Sequence, residues 1–507
     1  MVIAEEDVDV VSDVSVDRPR AAAHRGDISY WVILGFVTVA GTALRLWDLD
    51  GISIWGDEVF EGRESISVYR LDIVAGLEGF VGHLASVVAL LVSGADLQGL
   101  EPSDFGAFRD AGITSSSLRL APAIIGALTV PVVGIVTRRF LGRRESLVLA
   151  LLLAVAPWHL YWSQGARFYA IQFLFYAIAF VWYFEATESG SSKRLALAML
   201  FFVLAFNAQY TSFVLIPVIA VDWLIGRLTD RPPRLDTRSF TIIGIGVACA
   251  VAMPLFLLLE VDSYTANHFE TRGSPPWHIA FGIIVLIHPV VVATAVVSAS
   301  LRDTISSRKR AYLLLGGFLP ILLMSAMSFR SFSGSRYGFV ALFPMLALAA
   351  VGLVHLYDVL APRVGRLVAV LPFLLVLGTY LIADADYYLF NRGFRPQWEN
   401  AAEVVLSQHE PGEKVAMGLN QLGRYLLEED LGQDVVVGLD TIEREDTGVW
   451  VITTSVDSQA LLDESVLGPS DFVQSFVTRY VLPRHRIDVW YVPSEAEPRE
   501  TPPEPDL

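Results

Sequence analysis

Eleven apolar runs recur along the chain, at about residues 30–47, 117–137, 146–161, 166–185, 194–207, 211–226, 239–260, 277–299, 311–328, 337–357 and 366–383. Most approach the ~20 residues that a helix needs to cross a bilayer, so the pattern predicts an all-α polytopic membrane domain of about 11 transmembrane helices. A further run, GFVGHLASVVALLVSG at 79–94, is short and holds His83 and three glycines. It suits a juxtamembrane helix lying in the interface. From 384 the period changes: EKVAMG, DVVVGL, GVWVITT and RIDVWYV read as short buried strands, and PQWENAAEVVLSQH and SQALLDESVL as helices. The expected order is an acidic disordered tail (1–27), a membrane domain (28–386) with a long loop at 48–116, a small α/β domain (387–493) and a Pro/Glu-rich tail (494–507).

The loops between the runs orient the chain. If 79–94 does not cross and the N-terminus is cytoplasmic, the inner loops contain RRFLGRR (138–144), SSKR (191–194), GRLTDRPPRLDTR (226–238), RDTISSRKR (302–310) and APRVGR (361–366). The short outer loops then hold little Lys or Arg beyond Arg272, Arg330 and Arg336. One more crossing would reverse every later loop and spoil this asymmetry, so 48–116 and the α/β domain are expected outside the cell membrane.

Composition adds three constraints. Hydrophobic residues make up 53% of the 507 and the mean hydropathy is +0.50, as a multi-pass chain requires. The net charge of −17 is uneven: residues 384–507 carry 24 Asp/Glu against 9 Lys/Arg, and residues 1–27 carry 7 against 3. Acidic ends on a nearly neutral body argue against a nucleic-acid surface, and lysine at only Lys193, Lys309 and Lys414 suits high-salt surroundings. The single cysteine, Cys249, excludes an intrachain disulfide.

Chemistry concentrates at the outer ends of the runs. GISIWGDEVFEGRES (51–65) sets Asp57 and Glu58 just beyond the first span, with Trp55 beside them. An external carboxylate next to a lipid-facing groove suits transfer of a sugar from a polyprenyl-phosphate carrier to a hydroxyl, in which Asp57 is the general base and a cation holds the departing phosphate. Glu58 is a candidate to bind sugar hydroxyls or to raise the pKa of its neighbour, and Trp55 offers a face for a pyranose. The alternative is that these acids merely cap the next helix. In APWHLYWSQGARFYAIQ (156–172), Ser163, Gln164 and Arg167 form a polar knot followed by Tyr169. An arginine at an outer helix start calls for an anionic partner, either Asp57, Glu58 or a lipid phosphate. Arg336, in FRSFSGSRYGFVALFPMLALAAVGL (329–353), is placed to meet a phosphate at headgroup depth. The loop with His268, Glu270 and Arg272 reads as a polar loop or lid, and His83 and His159 lack metal-ligand spacing, so no metal or cofactor is expected.

SIWGDEVFEGRESI resembles the acidic first-loop motif of the multi-spanning GT-C glycosyltransferases, which include protein O-mannosyltransferases and lipid A aminoarabinose transferases. SSLRLAPAIIGALTVPVVGIVTRRFLG, APWHLYWSQGARFYA, SRYGFVALFPMLALAAVGL and RPQWENAAEVVLSQHEPGEKVAM are similar to later segments of the group, in the same order. The resemblance implies a polyprenyl-phosphate sugar donor, inversion, and the acid at Asp57 as base, with mannose the favoured sugar and an external glycan or protein as acceptor. The family's His-Pro-Pro segment is missing; VGHLASVV stands near its place, which makes His83 a candidate for donor contact. The rival reading is a polyprenyl-linked glycan flippase or secondary transporter, which would gather ionisable groups in mid-span.

Overall fold

The computed structural model describes residues 20–72, 79–228, 233–260, 275–301, 304–329, 334–390, 392–439, 448–454, 471–478 and 485–493. The expected loop chemistry of His268, Glu270, Arg272 and Arg330, the helix SQALLDESVL, and most of both tails lie outside these residues. All eleven apolar runs are helical. In chain order the helices are α1 (Arg20–Leu46), α2 (Gly56–Tyr69), α3 (Phe80–Val92), α4 (Ser115–Phe140), α5 (Arg143–Ala154), α6 (Pro157–Ser163), α7 (Tyr169–Ser189) and α8 (Ser192–Ala208). They continue as α9 (Leu215–Leu228), α10 (Thr237–Glu260), α11 (Pro276–Ile287), α12 (Pro289–Ser300), α13 (Ser307–Met327), α14 (Leu342–Val364) and α15 (Leu371–Ala385).

Among the described residues seven helices are long and apolar enough to cross a membrane, or nine if each of two bent pairs is one span. The protein is therefore multi-pass, and the remaining two expected spans are the helices α8, of 17 residues, and α10, of 24. The bent pairs revise the sequence expectation. The run at 146–161 is not one rod: α5 and α6 meet at 59°, and Pro157 opens the second piece. Proline fits a helix's first turn and cannot continue the preceding helix, so α6 turns at the break. α11 and α12 meet at 91° across His288, whose φ of +88° precedes Pro289.

α14 runs through the middle of the membrane body, where Phe343, Met345, Leu346 and Leu348 are buried against α5, α7, α12 and α13. α2 and α3 pack on each other and on α4. α3 buries His83 and Ser86 while leaving Leu84, Val88 and Leu91 exposed, an apolar outer face that suits the interfacial placement expected for 79–94.

The last part of the chain forms a five-stranded sheet of order β2-β1-β3-β5-β4, from β1 (Lys414–Met417), β2 (Val436–Gly438), β3 (Val449–Thr454), β4 (Asp471–Thr478) and β5 (His485–Val492). β1 runs parallel to β2 and β3, and β5 antiparallel to β3 and β4. The four expected strands are present. β4 and the helix α17 (Asn420–Leu431), which follows α16 (Trp398–Gln408), were not expected. The domain does not stand apart: Ile54, Val59 and Ile66 of the first loop share one apolar core with Trp398, Met417, Trp450 and Ile487. Polar bonds reinforce the seam, from Ile54 N–H to Glu399 Oε1 at 3.2 Å and from Tyr425 Oη to the Ile113 carbonyl at 3.2 Å.

Candidate active site

α2 begins at Gly56, so Asp57 and Glu58 occupy its first turn, where helix N–H groups favour negative charge. Adjacent residues on a helix point about 100° apart, and the two acids consequently part company. Asp57 faces outward, 36% exposed, with its Oδ2 3.4 Å from Arg336 Nη1. Glu58 faces inward and is fully buried. Arg119 Nε and Nη2 donate to its two oxygens at 2.9 and 2.7 Å, the Ala166 N–H donates at 2.8 Å and the Trp55 N–H at 3.3 Å. Burial alone would push this carboxyl up, but Arg119 and Arg395 beside it hold it below its ordinary value.

Glu58 is therefore not open to sugar hydroxyls; it is a buried clamp and part of the α2 cap. The capping alternative holds for Glu58. Arg119 completes the clamp by donating to the carbonyls of Leu49 and Ile52 at 2.6 Å and of Ser53 at 3.1 Å, which fixes the chain leading into α2. Sequence reading missed Arg119, although an arginine inside the apolar run of α4 was a signal, because such a charge needs an internal partner.

Trp55 is also reassigned in part. Arg395 lies between the rings of Trp55 and Tyr161, 4.6 and 4.4 Å from their centroids, so one face of the indole is covered by a cation and not open to a pyranose. Arg395 also approaches Glu58 to 3.9 Å. Gly165 is needed at this crowded point, because a Cβ there would fall 2.4 Å from Arg395 Nη2.

The polar knot divides in the same way. Gln164 Nε2 donates to the carbonyls of Leu44, Arg45 and Trp47 at 3.1, 3.4 and 2.7 Å, so it closes the end of α1 instead of binding substrate. Ser163 bonds back to the His159 carbonyl at 2.7 Å, and His159 takes a bond from Arg45 at 2.9 Å. Arg167 alone turns toward the acids. It is half-buried beside the Phe168 ring, 4.6 Å from its centroid, and its Nη1 reaches the Asp57 carbonyl at 3.4 Å.

Tyr169 is buried against Trp162, centroid to centroid 4.1 Å, with its hydroxyl in electrostatic reach of Arg336 and Arg167. His83 is buried too. Its Nδ1 lies 2.8 Å from Glu61 Oε1, which links it to α2 and leaves it behind the surface that carries Asp57. Among the described residues no group of three or more His, Cys, Asp or Glu is arranged to hold a metal ion.

The structure thus brings Asp57, Arg167 and Arg336 together from the first turn of α2, the chain after α6 and the chain before α14, with Tyr169 close by.

Residues 110–257 match the family described as dolichyl-phosphate-mannose-protein mannosyltransferase, PMT_2. No curated protein matches the sequence. Among solved structures the chain is similar to ArnT from Cupriavidus metallidurans bound to undecaprenyl phosphate, at 14% identity over 90% of this chain and 98% of that one, with a TM-score of 0.53. It is also similar to the oligosaccharyltransferase AglB from Archaeoglobus fulgidus in complex with an inhibitory peptide and a dolichol-phosphate, at 12% identity over 85% of this chain and 70% of that one, with a TM-score of 0.53. The chain thus shares the fold of these solved structures, a helical membrane body followed by a small C-terminal sheet domain.

Proposed function

We propose that the protein transfers a hexose, with mannose favoured, from a dolichyl- or other polyprenyl-phosphate carrier to an external glycan or protein acceptor. The observation that carries this reading is the gathering of an outward carboxylate, Asp57, with two arginines, Arg167 and Arg336. The acceptor oxygen attacks the anomeric carbon as Asp57 takes its proton, and the carbon–oxygen bond to the phosphate breaks. The lipid phosphate leaves with the electron pair, gaining about one charge that the arginines offset. A single displacement of this kind inverts the anomeric centre. The relatives bound to undecaprenyl phosphate and dolichol-phosphate support the donor class.

An arginine on that phosphate matters more as the bond breaks than before, so Arg167→Gln and Arg336→Gln are expected to lower kcat with only a modest change in apparent KM for polyprenyl-phosphate mannose. The Lys variants keep the charge without the planar fork and should fall between Gln and wild type. Purified protein in detergent, given labelled donor and an acceptor fraction from the producing cells, provides the measurement. Normal turnover in both Gln variants would move the phosphate elsewhere. Transfer in detergent, where no two compartments exist, also separates an enzyme from the flippase or transporter that broken helices such as α11 and α12 would suit.

The reading needs the site outside the cell membrane. On a Cys249→Ser background, an impermeant maleimide is expected to label cysteines placed at Ser93 and Ser407 in intact cells, but not one at Lys193; all three positions are exposed. The reverse pattern would put Asp57 in the cytoplasm.

A further inference from the structure

We propose that Glu61 is a positioning residue that competes with the lipid phosphate for Arg167, and so sets how tightly the departing phosphate is held. This rests on the phosphate reading of Arg167 above. Glu61 follows Asp57 by four residues on α2, so both acids lie along one side of the helix. It is 1% exposed. Its Oε1 accepts from His83 Nδ1 at 2.8 Å and from Ser86 Oγ at 3.0 Å, both on α3, while its Oε2 is buried with no hydrogen-bond partner.

Arg167 is the other half of this mismatch. Its Nε is buried without a partner, its hydrogen bond to the Asp57 carbonyl is long at 3.4 Å, and among the described residues it makes no ion pair within 4.0 Å. The two groups lie close, since the Asp57 carbonyl that Arg167 approaches is one helical turn before Glu61 on α2; Asp57 and then Glu61 favour the charged guanidinium against burial, and His83 and then Arg167 favour the Glu61 carboxylate.

A buried donor and a buried acceptor of opposite charge, each left short of a partner, cost free energy that a third group can recover. A phosphate oxygen satisfies Arg167. A second anion beside Glu61 is opposed by it. Glu61 therefore offers the guanidinium a competing negative charge and limits retention of the phosphate once the sugar has gone.

The role predicts tighter binding on mutation, a direction that damage to the fold does not produce. Glu61→Gln keeps an oxygen for Ser86 and His83 but removes the charge, and it is expected to bind polyprenyl monophosphate about fivefold or more tightly while turning over more slowly. Binding is read by intrinsic fluorescence on the purified full chain, with thermal unfolding to confirm that the variant is folded. In an Arg167→Gln background the gain should vanish, since the competition needs Arg167. Unchanged or weaker binding by Glu61→Gln, or an equal gain in both backgrounds, would overturn the role of Glu61. Unchanged binding by Arg167→Gln alone would overturn the phosphate reading beneath it.

Discussion

Asp57→Asn is expected to leave the protein folded and inserted while lowering sugar transfer at least about 10²-fold, the low end of what a general base contributes. The side chain is partly exposed, and its ion pair to Arg336 is 3.4 Å long between groups 36% and 30% exposed. Surface pairs of that kind contribute little to stability, and Asn keeps the shape and the acceptor oxygen. What Asn lacks is a site that can take the acceptor's proton as the new bond forms. The loss should therefore fall on kcat, with binding of polyprenyl monophosphate retained. Size-exclusion behaviour and thermal unfolding in detergent check the fold, and labelled-donor transfer checks the rate. Wild-type transfer by the Asn variant would reduce Asp57 to a favourable charge at a helix start.

The second large effect is on stability. Arg119→Met should destabilise the protein by about 3–5 kcal/mol, the range found when one partner of a buried ion pair is removed. Met fills much of the space but leaves Glu58 with Arg395 at 3.9 Å as its nearest cation and withdraws donors from three carbonyls. Glu58→Gln is the matched control. Because the folded protein holds the Glu58 carboxyl below its ordinary value, the stabilisation it contributes is complete above that ordinary value and is lost as pH falls through the folded one. Acid should accordingly destabilise wild type more steeply than Glu58→Gln in melts taken across the acidic range. Equal slopes would mean that the clamp does not depend on the carboxylate charge.

The helices were legible because burial in lipid demands apolar runs, and runs survive in sequence whatever their neighbours are. The breaks were half legible. Pro157 and Pro289 were visible, but nothing local says that a chain will bend by 59° or 91° there. Among the candidate site residues, Asp57, Arg167 and Arg336 stood out in sequence because charge at the end of an apolar run is unusual in itself, and the structure places the three near one another. Glu58, Gln164 and Trp55 were misjudged because their partners lie far away in sequence: Arg119 is 61 residues from Glu58, and Leu44 is 120 from Gln164. Such pairings leave no period to read. The opposite orientations of Asp57 and Glu58 were nonetheless available from helix geometry, once 56–69 was taken as a helix.

The apolar core shared by the first loop and the sheet domain has a consequence for how the protein is made. Glu399 anchors Ile54 across 345 residues, and Tyr425 reaches Ile113 across 312. At ribosomal speeds of roughly 5–20 residues per second, the segment carrying Asp57 emerges tens of seconds before the surface that will cover Ile54, Val59 and Ile66. During that interval its apolar side is open to chaperones and proteases. A chain truncated before β1 would insert its helices yet present an unfinished first loop, so completion of the surface around Asp57 waits for the sheet domain.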